Sequence, residues 1–230
     1  MPSDDQKLDI STFLLSSVHD MKTSLAMMAS YLEEALAEPG AEDSTARKKT
    51  AQALYEAQRV NDHLIQLLAL YKIDQTFYPF DPQDQAIADL LREAVARTQP
   101  LANIKKFQLT WECPEDLYAW LDYDLIFGVI VQAIHNALHY GQSRVLLIAT
   151  QHETGLILRI EDDGAGYPDF LLAQSDGSHR GISFETGSTG LGLYFAGVVA
   201  RLHKSNNSVG RTTLENGGRL GGGCFILQLP

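Results

Sequence analysis

LRIEDDGAGYPDFLLAQSDGSHRGISFETGSTGLGLYFAGVV, residues 158–199, carries two glycine clusters. The first, Asp162-Asp163-Gly164-Ala165-Gly166, follows the apolar alternation Leu156, Leu158, Ile160, which reads as a strand running into a sharp turn. The second, Gly187-Ser188-Thr189-Gly190-Leu191-Gly192-Leu193, opens a segment whose apolar residues Leu191, Phe195, Val198, Val199 and Leu202 have helical periodicity. A strand that ends in a carboxylate and a helix that starts on glycines are the parts needed to hold a nucleotide. The carboxylate can accept from an exocyclic amine. The glycines let backbone N–H groups approach phosphate oxygens at the positive end of the helix dipole. Between the clusters, residues 175–189 are polar and glycine-rich with little to bury, and read as a mobile lid over the site.

The rest of the composition narrows the class. The chain has 230 residues and a net charge of −11, which argues against broad nucleic-acid or anionic-membrane binding. The short basic runs Arg47-Lys48-Lys49 and Lys105-Lys106 read as solvated surface. Two cysteines, Cys113 and Cys224, stand apart in strand-like runs with no metal-ligand spacing, and are expected as reduced core residues. No apolar stretch approaches the ~18–20 residues of a membrane span. The start, MPSDDQKLDIS, is acidic and lacks the order of a signal peptide. A soluble, cytoplasmic protein is expected.

Upstream, Leu14, Val18, Met21, Leu25, Met28, Leu32 and Ala35 step by alternating fours and threes, a heptad seam on a long helix. Glu38-Pro39-Gly40 stops it. A second helix repeats the pattern with Leu54, Ala57, Asn61, Leu64, Leu68 and Tyr71. Two such helices form an antiparallel hairpin with an uncovered seam, and a second copy buries it as a homodimeric four-helix bundle.

Residues 71–85, with Pro79 and Pro82, break both periodicities and mark the domain boundary. Beyond it the sequence predicts a helix over 86–97, strands over 107–112 and 118–121, a helix over 124–140, and strands over 144–150 and 156–161. A helix from Gly190 and strands over 209–214 and 224–229 complete the chain. Strands and helices without a βαβ rhythm imply helices layered on one face of a sheet. The fold class is α+β: a helical hairpin over 1–76, then an α/β sandwich over 77–230.

With these motifs in place, the chain resembles the transmitter core of a sensor histidine kinase nearly end to end. Residues 18–25, Val-His-Asp-Met-Lys-Thr-Ser-Leu, resemble the family's H box, His-Glu-x-x-Thr-Pro-Leu. Residues 132–140, Gln-Ala-Ile-His-Asn-Ala-Leu-His-Tyr, resemble its N box. Asp162-x-Gly164-x-Gly166 and residues 187–193 resemble its two glycine boxes, and residues 223–230 resemble the last strand of its ATP-binding domain. The resemblance implies an ATPase domain of the histidine kinase, gyrase and heat-shock chaperone type.

His19 lies beside the seam residue Val18, on the flank of the bundle, where a neutral imidazole can act as a nucleophile. Asp20 can accept from its other nitrogen and favour the nucleophilic tautomer. Thr23 sits one turn on; the resemblance implies that it positions the water that hydrolyses a partner's aspartyl phosphate. It also implies that Asn136 is a Mg2+ ligand bridging the triphosphate, that Asp162 reads the adenine amine, and that Gly164 and Gly166 let the base approach. The resemblance further implies that Thr189, Gly190, Leu191 and Gly192 form the phosphate-facing turn, and that Tyr140 packs along the nucleotide unless it is helix core.

Some positions depart from the family. Gln132 stands where the family often has Asn and water-using ATPases have a Glu base; Gln takes no proton, which argues against an ATPase of that kind. His139 replaces a Lys, weakening phosphate contact at neutral pH. Ser24 replaces the H-box Pro, and no phenylalanine box is evident, Phe170 and Phe184 being the candidates. About seven residues precede the first helix, so the chain is expected to take its signal from a separate sensory protein unless it is an excised core. The implied activity is autophosphorylation of His19 from Mg-ATP and transfer to an aspartate of a response-regulator receiver domain. The alternatives are a histidine phosphotransfer relay, or a response-regulator phosphatase with a non-catalytic nucleotide domain.

Overall fold

The structure, a computed structural model, describes residues 21, 25–33, 45–172, 191–205 and 208–230. The chain divides into two compact units, Met1–Tyr78 and Pro79–Pro230.

In the first unit, residues 25–33 are helical and α1 runs over Thr45–Asp74. Leu54 is buried with Ala29 and Leu32 packed against it, and Gln58 Nε2 donates to Glu33 Oε1 at 3.2 Å. The two helical segments therefore face each other, with Leu32 of the expected seam but with Ala29 in place of Met28 against Leu54. The seam is only partly covered: Leu54 and Ala57 are buried, whereas Met21 and Met28 are exposed. The turn around Pro39-Gly40 lies outside the described residues. α1 persists past the expected break at Tyr71. It ends where Thr76 turns left-handed at φ 59° and the Phe77 and Tyr78 amides both donate to Lys72 O.

The second unit is an α/β sandwich. It contains β1 (Gln83–Ala86), α2 (Ile87–Lys105), β2 (Gln108–Glu112), β3 (Tyr118–Leu121), α3 (Tyr123–Tyr140), β4 (Arg144–His152) and β5 (Gly155–Asp162). Then come α4 (Asp169–Leu172), α5 (Leu191–Leu202), β6 (Lys204–Ser205), β7 (Ser208–Val209), β8 (Arg211–Asn216) and β9 (Gly223–Leu229). The main sheet has the order β2-β4-β5-β9-β8. Its β2–β4 pair is parallel and the others are antiparallel. β1 and β3 form a separate antiparallel pair, as do β6 and β7.

Strand periodicity explains the core. Leu156, Leu158 and Ile160 fall on one face of β5 and are buried with Leu147 of β4 and Leu227 of β9. α2, α3 and α5 pack side by side with the sheet. α3 lies between the other two and is buried almost all round, from Leu125 to Leu138. Each fully buried Leu or Ile contributes about 1.5–3 kcal/mol.

Four expectations change. α2 runs to Lys105, not 97, through Pro100. The carbonyl that loses its partner to Pro100 belongs to exposed Ala96. Thr98 Oγ1 donates to Ala94 O at 2.8 Å, and Leu101 and Ala102 continue the buried face. The boundary stretch holds β1, whose register sets Gln83 opposite Leu121. The strand expected over 209–214 is two, because Gly210 turns the chain and its amide donates to His203 O at 2.8 Å. Cys224 is a core residue with its thiol pushed up to about 12 by burial, but Cys113 is only half-buried, just past the end of β2.

Candidate functional site

The period of β5 that buries Leu158 and Ile160 also brings Asp162, its last residue, to the inner face, where it is 6 % exposed. One carboxylate oxygen is fully committed: Asp162 Oδ1 accepts from the Gly164 amide at 2.7 Å and the Gly223 amide at 3.1 Å. No described residue donates to Oδ2. Burial raises the Asp162 pKa; the two amide bonds oppose this, and the neighbouring Asp163 charge adds to it.

Glycines make the space around this carboxylate. A Cβ at Gly164 would lie 2.2 Å from Tyr140 O, and one at Gly222 would lie 2.6 Å from Asp162 O and Oδ1. A Cβ at Gly223 would lie 2.8 Å from Asp162 Oδ2 and 3.1 Å from the Tyr167 ring. The Tyr167 hydroxyl is pushed well above its ordinary pKa, first by burial and then by the Asp162 charge. Its backbone is clamped by Asn216, whose Oδ1 accepts from Tyr167 N at 2.6 Å and whose Nδ2 donates to Tyr167 O at 2.8 Å. Gly166 has φ +82°, and a Cβ there would meet the same Asn216 side chain.

Asp163 does different work. Its Oδ1 accepts from the amides of Gln142, Ser143 and Arg144 at 2.9, 2.9 and 3.1 Å, and its Oδ2 from Ser143 Oγ at 2.6 Å. Partial burial opposes the charge. The hydrogen bonds from Ser143, Arg144 and Gln142 outweigh it and hold the carboxyl well below the usual carboxylate range. Asp163 thus pins the α3–β4 turn to the end of β5, whereas Asp162 keeps one carboxylate oxygen without a donor among the described residues.

A second cluster lies one to two turns back along α3. Asn136 is half-buried, and Gln132, 8 % exposed, donates from Nε2 to Asn136 Oδ1 at 3.3 Å. Gly192, buried at the start of α5, touches this pair: a Cβ there would lie 2.7 Å from Gln132 Nε2. Its missing side chain lets α5 approach α3. Leu191 is half-buried beside it. His139 and Tyr140 are exposed at the end of α3 with their rings edge to face, centroids 4.7 Å apart.

The structure brings Asn136, Tyr140, Asp162, Gly164 and Gly192 onto or against the same end of α3, while Gly166 packs against Asn216 at the end of β8. His19, Asp20, Thr23, Thr189, Gly190 and the lid over 175–189 lie outside the described residues. Sequence reasoning missed Gly222, Gly223, Asn216 and Tyr167. The run Gly221-Gly222-Gly223 ahead of the last strand was the available signal. The described residues contain no cluster of His, Cys, Asp and Glu able to hold a metal ion.

No family model matches the chain. Over 226 residues it is 25 % identical to the sensor histidine kinase RppB of Synechocystis, covering 95 % of this chain and 48 % of that protein. It is 25 % identical over 225 residues to the sensor-like histidine kinase SenX3 of Mycobacterium tuberculosis, covering 95 % and 53 %. For the sensor protein SrrB of Staphylococcus aureus the figures are 24 % identity, 95 % and 37 %. The chain therefore spans about half, or less, of the length of these curated relatives. Among solved structures, the catalytic domain of histidine kinase ThkA matches with TM-score 0.55 and 20 % identity, over 65 % of this chain and 95 % of that one. Full-length ShkA in complex with AMPPNP matches with TM-score 0.62 and 18 % identity, over 94 % of this chain and 45 % of that one. The chain matches sensor histidine kinases in sequence, and its sandwich has the fold of their catalytic domains.

Proposed function

We propose that this chain is the kinase core of a two-component system: it binds Mg-ATP in the second unit, transfers the γ-phosphoryl group to His19 and passes it to an aspartate of a response-regulator receiver domain. The observation that carries the reading is Asp162. One oxygen is held by two backbone amides, the other is unpartnered among the described residues, and glycines keep side chains out of the surrounding space. That arrangement suits the exocyclic amine of adenine. Residues 77–230 then form the nucleotide domain, and residues 1–76 the dimerising phosphotransfer hairpin.

Each residue contributes something definite. Asp162 orients the base, and Tyr167 and Gly223 wall it. Asn136 offers an amide oxygen that retains a lone pair beside the Gln132 bond, which fits the few oxygen ligands Mg2+ accepts. The ion, when bound, supplies neutralisation of phosphate charge. Thr189, Gly190, Leu191 and Gly192 bring backbone donors to the phosphates, with His139 and Tyr140 at the rim. The His19 imidazole forms a P–N bond as the bond to the β-phosphate oxygen breaks and ADP leaves, and the proton on its other ring nitrogen passes to Asp20. Rate comes chiefly from positioning and charge stabilisation. Thr23 orients water when the flow reverses and the regulator is dephosphorylated. A second copy covers the exposed Met21 and Met28, giving a homodimer. The site of action is cytoplasmic. Among the described residues no helix is long and apolar enough to cross a membrane.

The test is incubation of the full chain with γ-labelled ATP and Mg2+. An acid-labile, base-stable label that is absent from His19→Gln is expected. Label retained in that variant refutes the assignment.

A further inference from the structure

Among the buried titratable groups that the nucleotide reading does not use is His203. His203 follows α5 directly and is 4 % exposed. Its Nε2 accepts the Asp122 amide at 3.0 Å, and its Nδ1 lies 2.9 Å from Val199 O. The only tautomer that satisfies both neighbours is neutral, with the proton on Nδ1. Asp122 is the N-cap of α3: its Oδ1 accepts from Leu125 N at 3.1 Å. Its Oδ2 accepts from Asp81 N at 3.1 Å. Phe80 sets its ring edge-on to the His203 imidazole, with centroids 5.1 Å apart. Gly210 backs the joint from the other side, its amide on His203 O.

Three parts of the second unit meet here. α3 carries Asn136, α5 opens at Gly192, and Phe80-Asp81 is where the chain enters the unit after Tyr78. The Asp122–His203 bond joins the N-terminus of one helix to the C-terminus of the other. The Gln132–Gly192 contact joins the same two helices near the nucleotide residues. A shift at the first joint must therefore be taken up at the second.

We propose that His203 is a positioning residue: it sets the placement of α3 against α5 at the nucleotide site and, through Phe80 and Asp81, makes that placement depend on the segment joining the two units. The inference rests on the nucleotide reading above. Burial holds the imidazole neutral at physiological pH; the Val199 bond and the Asp122 charge oppose this. The charged group bearing on the ring from α3 is Asp122. Asp81, from the joining segment, meets the cap through its backbone, and Lys204 follows His203 in the chain. Protonation turns Nε2 from acceptor to donor, facing the Asp122 N–H, and breaks the joint.

The experiment uses the full chain and measures the affinity for Mg-ATP by calorimetry between pH 5.5 and 8, alongside thermal unfolding. His203→Leu removes the acceptor and is expected to weaken binding about ten-fold or more, as a lost supporting contact does. His203→Gln keeps an acceptor that does not titrate. It is expected to bind nearly as the unsubstituted chain at pH 7.5 and to lack that part of the loss on acidification below about 6.5 that belongs to the imidazole. Phe80→Ala, at a half-open position, tests the link if His203→Leu does not fold, with an expected loss of about five-fold. Parallel pH profiles for the unsubstituted chain and His203→Gln overturn the inference, as does unchanged affinity in Phe80→Ala. A chain that binds no ATP at millimolar concentration refutes the nucleotide reading and the inference with it. Binding by the unsubstituted chain and equally by all three variants refutes the inference alone.

Discussion

Replacing Asp163 by alanine removes the clamp between β5 and the α3–β4 turn and leaves the neighbouring carboxylate, Asp162, in place. Four donors lose their acceptor: the amides of Gln142, Ser143 and Arg144 and the Ser143 hydroxyl. A hydrogen bond to an ionised group contributes about 1.5–3 kcal/mol. The freed amides sit at exposed positions and regain water, so the set is worth about 2–4 kcal/mol rather than the sum. For a unit of this size that lowers the melting temperature by roughly 5–15 °C. The assay is urea unfolding followed by tryptophan fluorescence. The chain has two tryptophans, and Trp111 and Trp120 are both in the second unit. The pH dependence has a definite sign. The folded-state pKa of Asp163 is depressed, so its contribution is fully present above the unfolded value of about 3.9 and is lost as pH falls toward the folded value. The gap between the unsubstituted chain and Asp163→Ala must therefore be wide at pH 7 and narrower at pH 3. A loss under about 0.5 kcal/mol at pH 7, or an equal gap at both pH values, refutes the clamp.

Other variants separate packing from recognition. Asp162→Asn keeps an acceptor for the Gly164 and Gly223 amides but turns an amine toward the base. Because burial has raised the acid's pKa, stability at pH 7 should hold or rise, while ATP affinity falls about 10–100-fold by calorimetry; a lower melting temperature with unchanged affinity would contradict this. Gly192→Ala drives a Cβ into Gln132 and should cost about 1–3 kcal/mol. Adding Gln132→Ala should restore most of the loss, and additive effects in that double-mutant cycle would show that the contact is not the cause. Gly222→Ala places a methyl group against the Gly164 amide and the Asp162 carbonyl, backbone atoms that cannot swing away. It should abolish ATP binding and destabilise the unit more than Gly192→Ala does, as read by the same unfolding assay.

The motifs with local signatures were legible from sequence. The alternation Leu156, Leu158, Ile160 carries on to Asp162, so period two alone put that carboxylate inside. Gly192 read as a phosphate turn, but its closest neighbour, Gln132, lies 60 positions earlier in the chain. No local pattern records that approach. Asp163 looked like the spacer of a motif, because its role depends on three amides of a turn that pack beside it only when β4 and β5 pair. Gly222 and Gly223 became part of the site for the same reason: β9 lies next to β5. The length of α2 was misjudged at Pro100 because the sequence does not say which carbonyls will face water. His203 carries no local signature, because its partner Asp122 caps a different helix.

The place of β9 between β5 and β8 also bears on how the protein is made. β5 leaves the ribosome with one edge paired to β4 and the other open until β9 arrives, after residues 163–222 have been added. At about 5–20 residues per second that wait is roughly 3–12 s. Throughout it, a strand rich in Leu and Ile offers unpaired N–H and C=O groups to any other nascent chain. Arg159 and Glu161, which in the finished sheet bind one another on the face opposite Ile160, place a charge at alternate positions of that waiting strand. Charges placed in this way are a device by which open strand edges discourage such pairing.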